Sequence, residues 1–166
     1  MNDRELMPGQ GIPGLRLGDN IAAVRERFGE PRIFRRTSDA PEMTDYFASS
    51  GMLVTYGQDQ NVTSIEMTHP SNPTIRGVPL LGRPLIQVLD DLAQAGISAA
   101  TDNDGAVIAG WRVGLYAPSD VNGRRKLISC RHGGVIIRVP PTVLIRRILE
   151  PVPTHAVRRP GPAVTR

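Results

Sequence analysis

Apolar and polar positions along the chain fall into two helical periods and several strand-like runs. Ile21, Val24 and Phe28 recur three and four residues apart, with Arg25, Glu26 and Arg27 between them, which predicts an amphipathic helix over 19–28. Asp19 or Asn20 can cap its start, because a short side-chain acceptor there meets the first open amides, and Gly29 with Pro31 stops it. Leu85, Val88, Leu89 and Leu92 define a second helix over 84–95, with Pro84 in its first turn and Gly96 at its end. Short runs rich in β-branched and aromatic residues predict strands at 45–47, Met52–Tyr56, Val62–Met67, 106–109, 111–116, 127–132 and 135–139. The polar stretches at 49–51 and 57–61, and Gly133-Gly134, read as turns between them. Thr142 can cap a short last helix over 143–149, which Pro151 ends.

The two halves repeat this order. At an offset of 64, Leu17-Gly18 falls on Leu81-Gly82, Ile21 on Leu85, Val24 on Val88 and Phe28 on Leu92. With a small gap, Tyr56 falls on Tyr116 and Ile65 on Ile128. One helix with one three-stranded meander is marginal alone, so two such units would share a core. The expected fold is therefore α+β: two related helix-plus-antiparallel-meander units forming a mostly antiparallel curved sheet with helices packed on one face. Residues 1–13 are expected as a flexible lead-in, 14–70 as the first unit and 71–150 as the second with its short C-terminal helix. Residues 151–166 hold four Pro and little periodicity and are expected as a disordered basic tail.

Composition narrows the classes. The 166 residues are 40% hydrophobic and 22% charged, as in a soluble globular protein, and no apolar run approaches the length of a membrane helix. One Cys excludes an internal disulfide framework and a multi-Cys metal cluster, and three scattered His do not make a zinc site. Two early acids and no apolar segment at the N-terminus argue against an export signal, so a cytoplasmic setting is expected. The net charge of +4 divides unevenly: residues 1–120 balance at −5 and residues 121–166 at +9. A basic C-terminal quarter fits an electrostatic partner, either nucleic acid or an acidic protein surface, as well as a simple solvated tail.

Leu15, Gly18, Val24, Gly29 and Pro31 stand in the spacing L-x-x-G-x-x-x-x-x-V-x-x-x-x-G-x-P. This run resembles the opening of the small SmpA/BamE-like and beta-lactamase-inhibitor-like (BLIP-like) modules, and a weaker echo covers 81–96. The resemblance implies helices laid on an antiparallel sheet, two modules in tandem as in the inhibitor family, and binding of another protein without catalysis. The chain lacks the acylated Cys of the lipoprotein members and the disulfides of the secreted inhibitors. The resemblance thus implies the module in a bacterial cytoplasm, as in an immunity protein that blocks a toxin inside the cell that makes it.

Candidate chemistry is sparse. Cys130 and His132 would share a strand face, but positions two apart are separated by about 6–7 Å, too far for direct hydrogen bonding without side-chain lean. Asp102-Asn103-Asp104-Gly105 begins like a calcium loop, but the later acidic ligand is replaced by Val113, and a turn is the simpler reading. Asp90-Asp91 point apart on their helix. The literal G-x-G-x-x-G at 9–14 has no preceding strand and is interrupted by Pro13. No catalytic, cofactor-binding or metal-binding residue is predicted, and the chain reads as a non-enzyme. Aromatic and basic residues are favoured at protein interfaces. The partner-binding candidates are Tyr46 on a strand, Gln58, Asp59 and Asn61 in one turn, Trp111, and the basic run Arg124, Arg125 and Lys126. The expected function is a protein-binding immunity protein or inhibitor. Nucleic-acid or regulatory binding through the basic quarter is the alternative, and a small-molecule-binding domain would require a concave pocket with convergent polar groups.

Overall fold

A computed structural model describes residues 4–37, 42–101, 105–117 and 134–138. A hairpin of β1 (Gly11–Ile12) and β2 (Leu15–Arg16) leads into helix α1 (Ile21–Phe28) and strands β3 (Arg32–Phe34), β4 (Met43–Phe47), β5 (Met52–Tyr56) and β6 (Val62–Met67). A second hairpin, β7 (Thr74–Ile75) and β8 (Val78–Pro79), precedes helix α2 (Leu85–Gln94). Strands β9 (Ala100–Thr101), β10 (Gly105–Ile108), β11 (Val113–Tyr116) and β12 (Gly134–Arg138) follow, with a 3-10 turn at Ala109–Trp111.

Eight strands form one sheet in the order β3-β4-β5-β6-β12-β11-β10-β9, and each of its pairings is antiparallel. The strands after α1 make one half and those after α2 the other, in reversed order. β6 and β12 meet at the centre, with Ile65 opposite Ile137 and Met67 opposite Val135. The protein is thus α+β, with two helices and a predominance of antiparallel strands.

Alternation along the strands gives the sheet an inner and an outer face. Phe47, Met52, Met67, Val135, Leu115 and Ala106 form one inner row, and Val54, Ile65, Val113 and Ile108 belong to the next. All are buried, in one cluster with Ile21 and Val24 of α1 and Leu85, Val88 and Leu92 of α2. Phe28 closes the end of α1 with its ring 5.6 Å from that of Phe47. The first helix starts where its cap residues predict: Asn20 Oδ1 accepts from the Ala22 amide at 3.0 Å, and Asp19 Oδ2 accepts from the Arg16 amide at 2.7 Å. Pro84 stands just outside α2 as its N-cap residue instead of inside its first turn.

Several expectations change. The lead-in is held in place from Arg4 onward: Leu6 and Ile12 are buried, and the Leu6 amide donates to the Thr74 carbonyl at 2.8 Å. Glu5 adds side-chain bonds, accepting from Thr74 Oγ1 and from the amide of Arg76. Two buried apolar residues and these hydrogen bonds together anchor the segment. The strand expected at 111–116 starts only at Val113, because Trp111 lies in the 3-10 turn and Arg112 takes a left-handed conformation at φ 54°. The expected strand at 127–132, helix at 143–149 and tail at 151–166 lie outside the described residues.

Candidate partner-binding face

On the face turned away from the helices, strand register sets out two rows of side chains. Arg32, Tyr46, Leu53 and Glu66 stand opposite one another across β3 to β6, and Phe34, Thr44, Thr55 and Ser64 form the row beside them. Arg32 and Phe34 are exposed, and Tyr46, Leu53 and Glu66 half-buried. The three hydroxyl residues are buried. Thr44 Oγ1 and Thr55 Oγ1 share a hydrogen bond of 3.1 Å, while the buried Ser64 Oγ has no hydrogen-bond partner among the described residues. Arg36, just beyond β3, pairs with Glu66 on β6 at 2.6 Å. Those strands are three spacings apart, about 14 Å, so the Arg36 side chain reaches inward over this face, above the hydroxyl row. Farther across, Gly114 and Val107 continue the first row, and Tyr116 is 42% exposed near the opposite end of the strands.

Not all of the residues expected to meet a partner come together. Tyr46 lies within the outer face. Gln58, Asp59 and Asn61 lie in the β5–β6 turn, which is fixed to the start of α1: the Ile21 amide donates to the Gln60 carbonyl at 3.0 Å, and the Val62 amide to the Asp19 carbonyl at 2.9 Å. Asp59 accepts from the Asn61 amide at 3.2 Å and from Asn61 Nδ2 at 2.9 Å. The Asn61 main-chain bond, then the side-chain bond, holds the Asp59 carboxyl below its ordinary pKa. Asp59 and Asn61 therefore engage one another within the turn, where Gln58, Asp59 and Gln60 are exposed and Asn61 is half-buried. Trp111 sits at the same end of the sheet, half-buried against the core, with its carbonyl accepting from the Gly9 amide at 3.0 Å. Arg124, Arg125 and Lys126 lie outside the described residues, and the strand ends that flank their segment, Tyr116 and Gly134, are at the other end of the sheet.

Arg32, Phe34, Leu53 and Glu66 are outer-face residues absent from the sequence-based set. Alternation was the available signal for two of them: Leu53 lies between Met52 and Val54, and Glu66 between Ile65 and Met67. Tyr56 and Phe47, two other strand aromatics, are buried on the inner face.

Among the described residues, the inner face also holds one charged cluster. Asp45 is fully buried, with Arg25 Nε at 2.7 Å from Oδ2, Arg25 Nη2 at 2.8 Å from Oδ1 and the Tyr56 hydroxyl donating to Oδ2 at 3.1 Å. Burial, reinforced by Asp45, raises the Tyr56 pKa above that of an ordinary phenol. Both Asp45 oxygens are met by protein donors beneath α1, an arrangement suited to seating the helix. Asp91 of the adjacent acidic pair binds Arg83 at 2.6 Å, while Asp90 is exposed. Cys130, His132 and the Asp102-Asn103-Asp104 turn lie outside the described residues.

Comparison with known protein families, curated proteins and solved structures finds no match to this chain. Among the described residues, no helix is long and apolar enough to cross a membrane.

Proposed function

We propose that this chain is a non-enzymatic protein-binding module of the tandem SmpA/BamE-like, BLIP-like kind, acting as an immunity protein or inhibitor that occludes a toxin or enzyme in the bacterial cytoplasm. The observation that carries this reading is the outer face, where Arg32, Tyr46, Leu53 and Glu66 form a cross-strand row on the side of the sheet opposite the helices. Tyr and Arg are the side chains that most often anchor protein interfaces, and a hydrogen-bonded sheet presents them with little ordering cost on binding. Support for two related units comes from the strand order, which places four strands of the main sheet after each helix and reverses about the β6–β12 seam. A twisted sheet of this width would curve around a convex partner.

Co-purification of the intact chain from its host, beside a Tyr46→Ala/Leu53→Ala variant checked for folding by circular dichroism, tests the reading. The expected result is one identified partner, inhibited when reconstituted with the wild-type chain. The variant should bind it at least about 30-fold more weakly, the loss of one interface anchor. No partner on the wild type, or equal retention by the variant, overturns it. The +9 balance of residues 121–166, which include Arg124, Arg125 and Lys126, favours a second reading as a nucleic-acid or regulatory binding protein. That reading requires duplex or single-strand affinity that collapses between about 50 and 200 mM salt.

A further inference from the structure

We infer that the cleft beside the C-terminal turn of α1 binds a small organic carboxylate with an apolar body. The cleft measures about 500 Å³, within the usual range for a small-molecule site. It is formed where the lead-in, the β1–β2 hairpin, the end of α1 and the β4–β5 turn converge. Pro13 and the half-buried Phe28 give it apolar surface, backed by the buried Ile12 and Met52, and among the described residues Arg4 and Arg27 are its only charged lining residues and no carboxylate lines it.

Both cations are positioned by the main chain. Arg4 Nη1 donates to the Pro70 carbonyl at 3.1 Å, and Arg27 Nη1 donates to the Gly14 carbonyl at 2.9 Å. Each contact engages one guanidinium nitrogen and leaves further N–H donors on the same head. Gly14 permits the close seating of Arg27: it has φ +86°, and a Cβ built there would lie 3.0 Å from the guanidinium carbon. Among the described residues neither arginine has a carboxylate partner, whereas Arg25, Arg36 and Arg83 each have one.

Two chemistries converge here, and each excludes a simpler ligand. A bare inorganic anion would meet the guanidinium groups and leave the Pro13 and Phe28 surfaces wet. A neutral hydrocarbon would cover those surfaces and leave the guanidinium donors without an acceptor. A carboxylate on a short aliphatic or aromatic body satisfies both, through charge-assisted hydrogen bonds to the guanidinium groups and apolar contact with Pro13 and Phe28. The cleft opens on the helix side of the sheet, so occupancy there is separate from binding on the outer face.

Titration of the intact chain with hexanoate and benzoate, followed by amide chemical shifts at low ionic strength, tests the inference. Saturable binding is expected, with shifts centred on Gly14, Phe28 and Met52. Arg27→Gln and Arg4→Gln should each weaken it about tenfold, the loss of one charge-assisted contact, and Arg16→Gln, outside the cleft, should leave it unchanged. Unaltered thermal midpoints in the two cleft variants would separate lost binding from lost folding. Absence of saturation, equal affinity for hexanol, affinity for sulfate equal to that for hexanoate, or undiminished binding by both cleft variants would each overturn the assignment.

Discussion

Asp45 places a carboxylate on a face otherwise built from Phe47, Val54 and Ile65, and its tolerance there depends on two neighbours. Arg25 meets both of its oxygens and Tyr56 meets one. Removing the cation while leaving the buried carboxylate is strongly unfavourable. Arg25→Met is expected to cost about 3 kcal/mol, at the low end for a buried pair because the Arg25 side chain is 33% exposed; urea unfolding measures it. Tyr56 gives a pH signature. Its phenol pKa is raised in the folded state, so the unfolded chain loses that proton first and stability declines as pH rises above about 10. Tyr56→Phe should flatten that alkaline decline, as read from thermal midpoints between about pH 9 and 11. The sequence marks Asp45 only as a polar residue in a strand; its partner lies 20 positions away, at a distance no local pattern encodes.

The helices were the most legible elements, because each satisfies its own period and end signals within a dozen residues. Asn20 shows how local chemistry connects to a neighbouring element: it caps α1 through the Ala22 amide and bridges Asn61 in the β5–β6 turn. Asn20→Ala should cost about 1 kcal/mol and speed hydrogen exchange at Ala22, with Ile21 and Val62 affected if the turn loosens. Short elements were less legible. β3 spans only Arg32–Phe34, follows Pro31 and has three exposed residues, so no apolar alternation marks it. The outer face was half-legible for the same reason: Tyr46 stood out as an aromatic, but its alignment with Arg32, Leu53 and Glu66 is a property of cross-strand register.

At the scale of the molecule, β12 joins the two halves, pairing with β6 on one side and β11 on the other. Val135 is fully buried at this seam. Val135→Ala should destabilise the protein by about 2 kcal/mol, and both halves should register the loss together. Fluorescence of Trp111, the sole tryptophan, and far-ultraviolet circular dichroism are expected to report one shared urea midpoint in the wild type and the variant. The β-branched run at 135–139 announced a strand, but its place at the centre was set by pairing with residues far earlier in the chain, beyond the reach of periodicity.

That placement has a consequence for biosynthesis. A chain made from its N-terminus delivers β3 to β6 early, while the strand that covers the free edge of β6 arrives only with Gly134–Arg138. Throughout that interval the nascent protein carries an open hydrogen-bonding edge along Val62–Met67, and such edges invite pairing with other chains. The step that completes the sheet is therefore also the step that ends its exposure to aggregation on the ribosome.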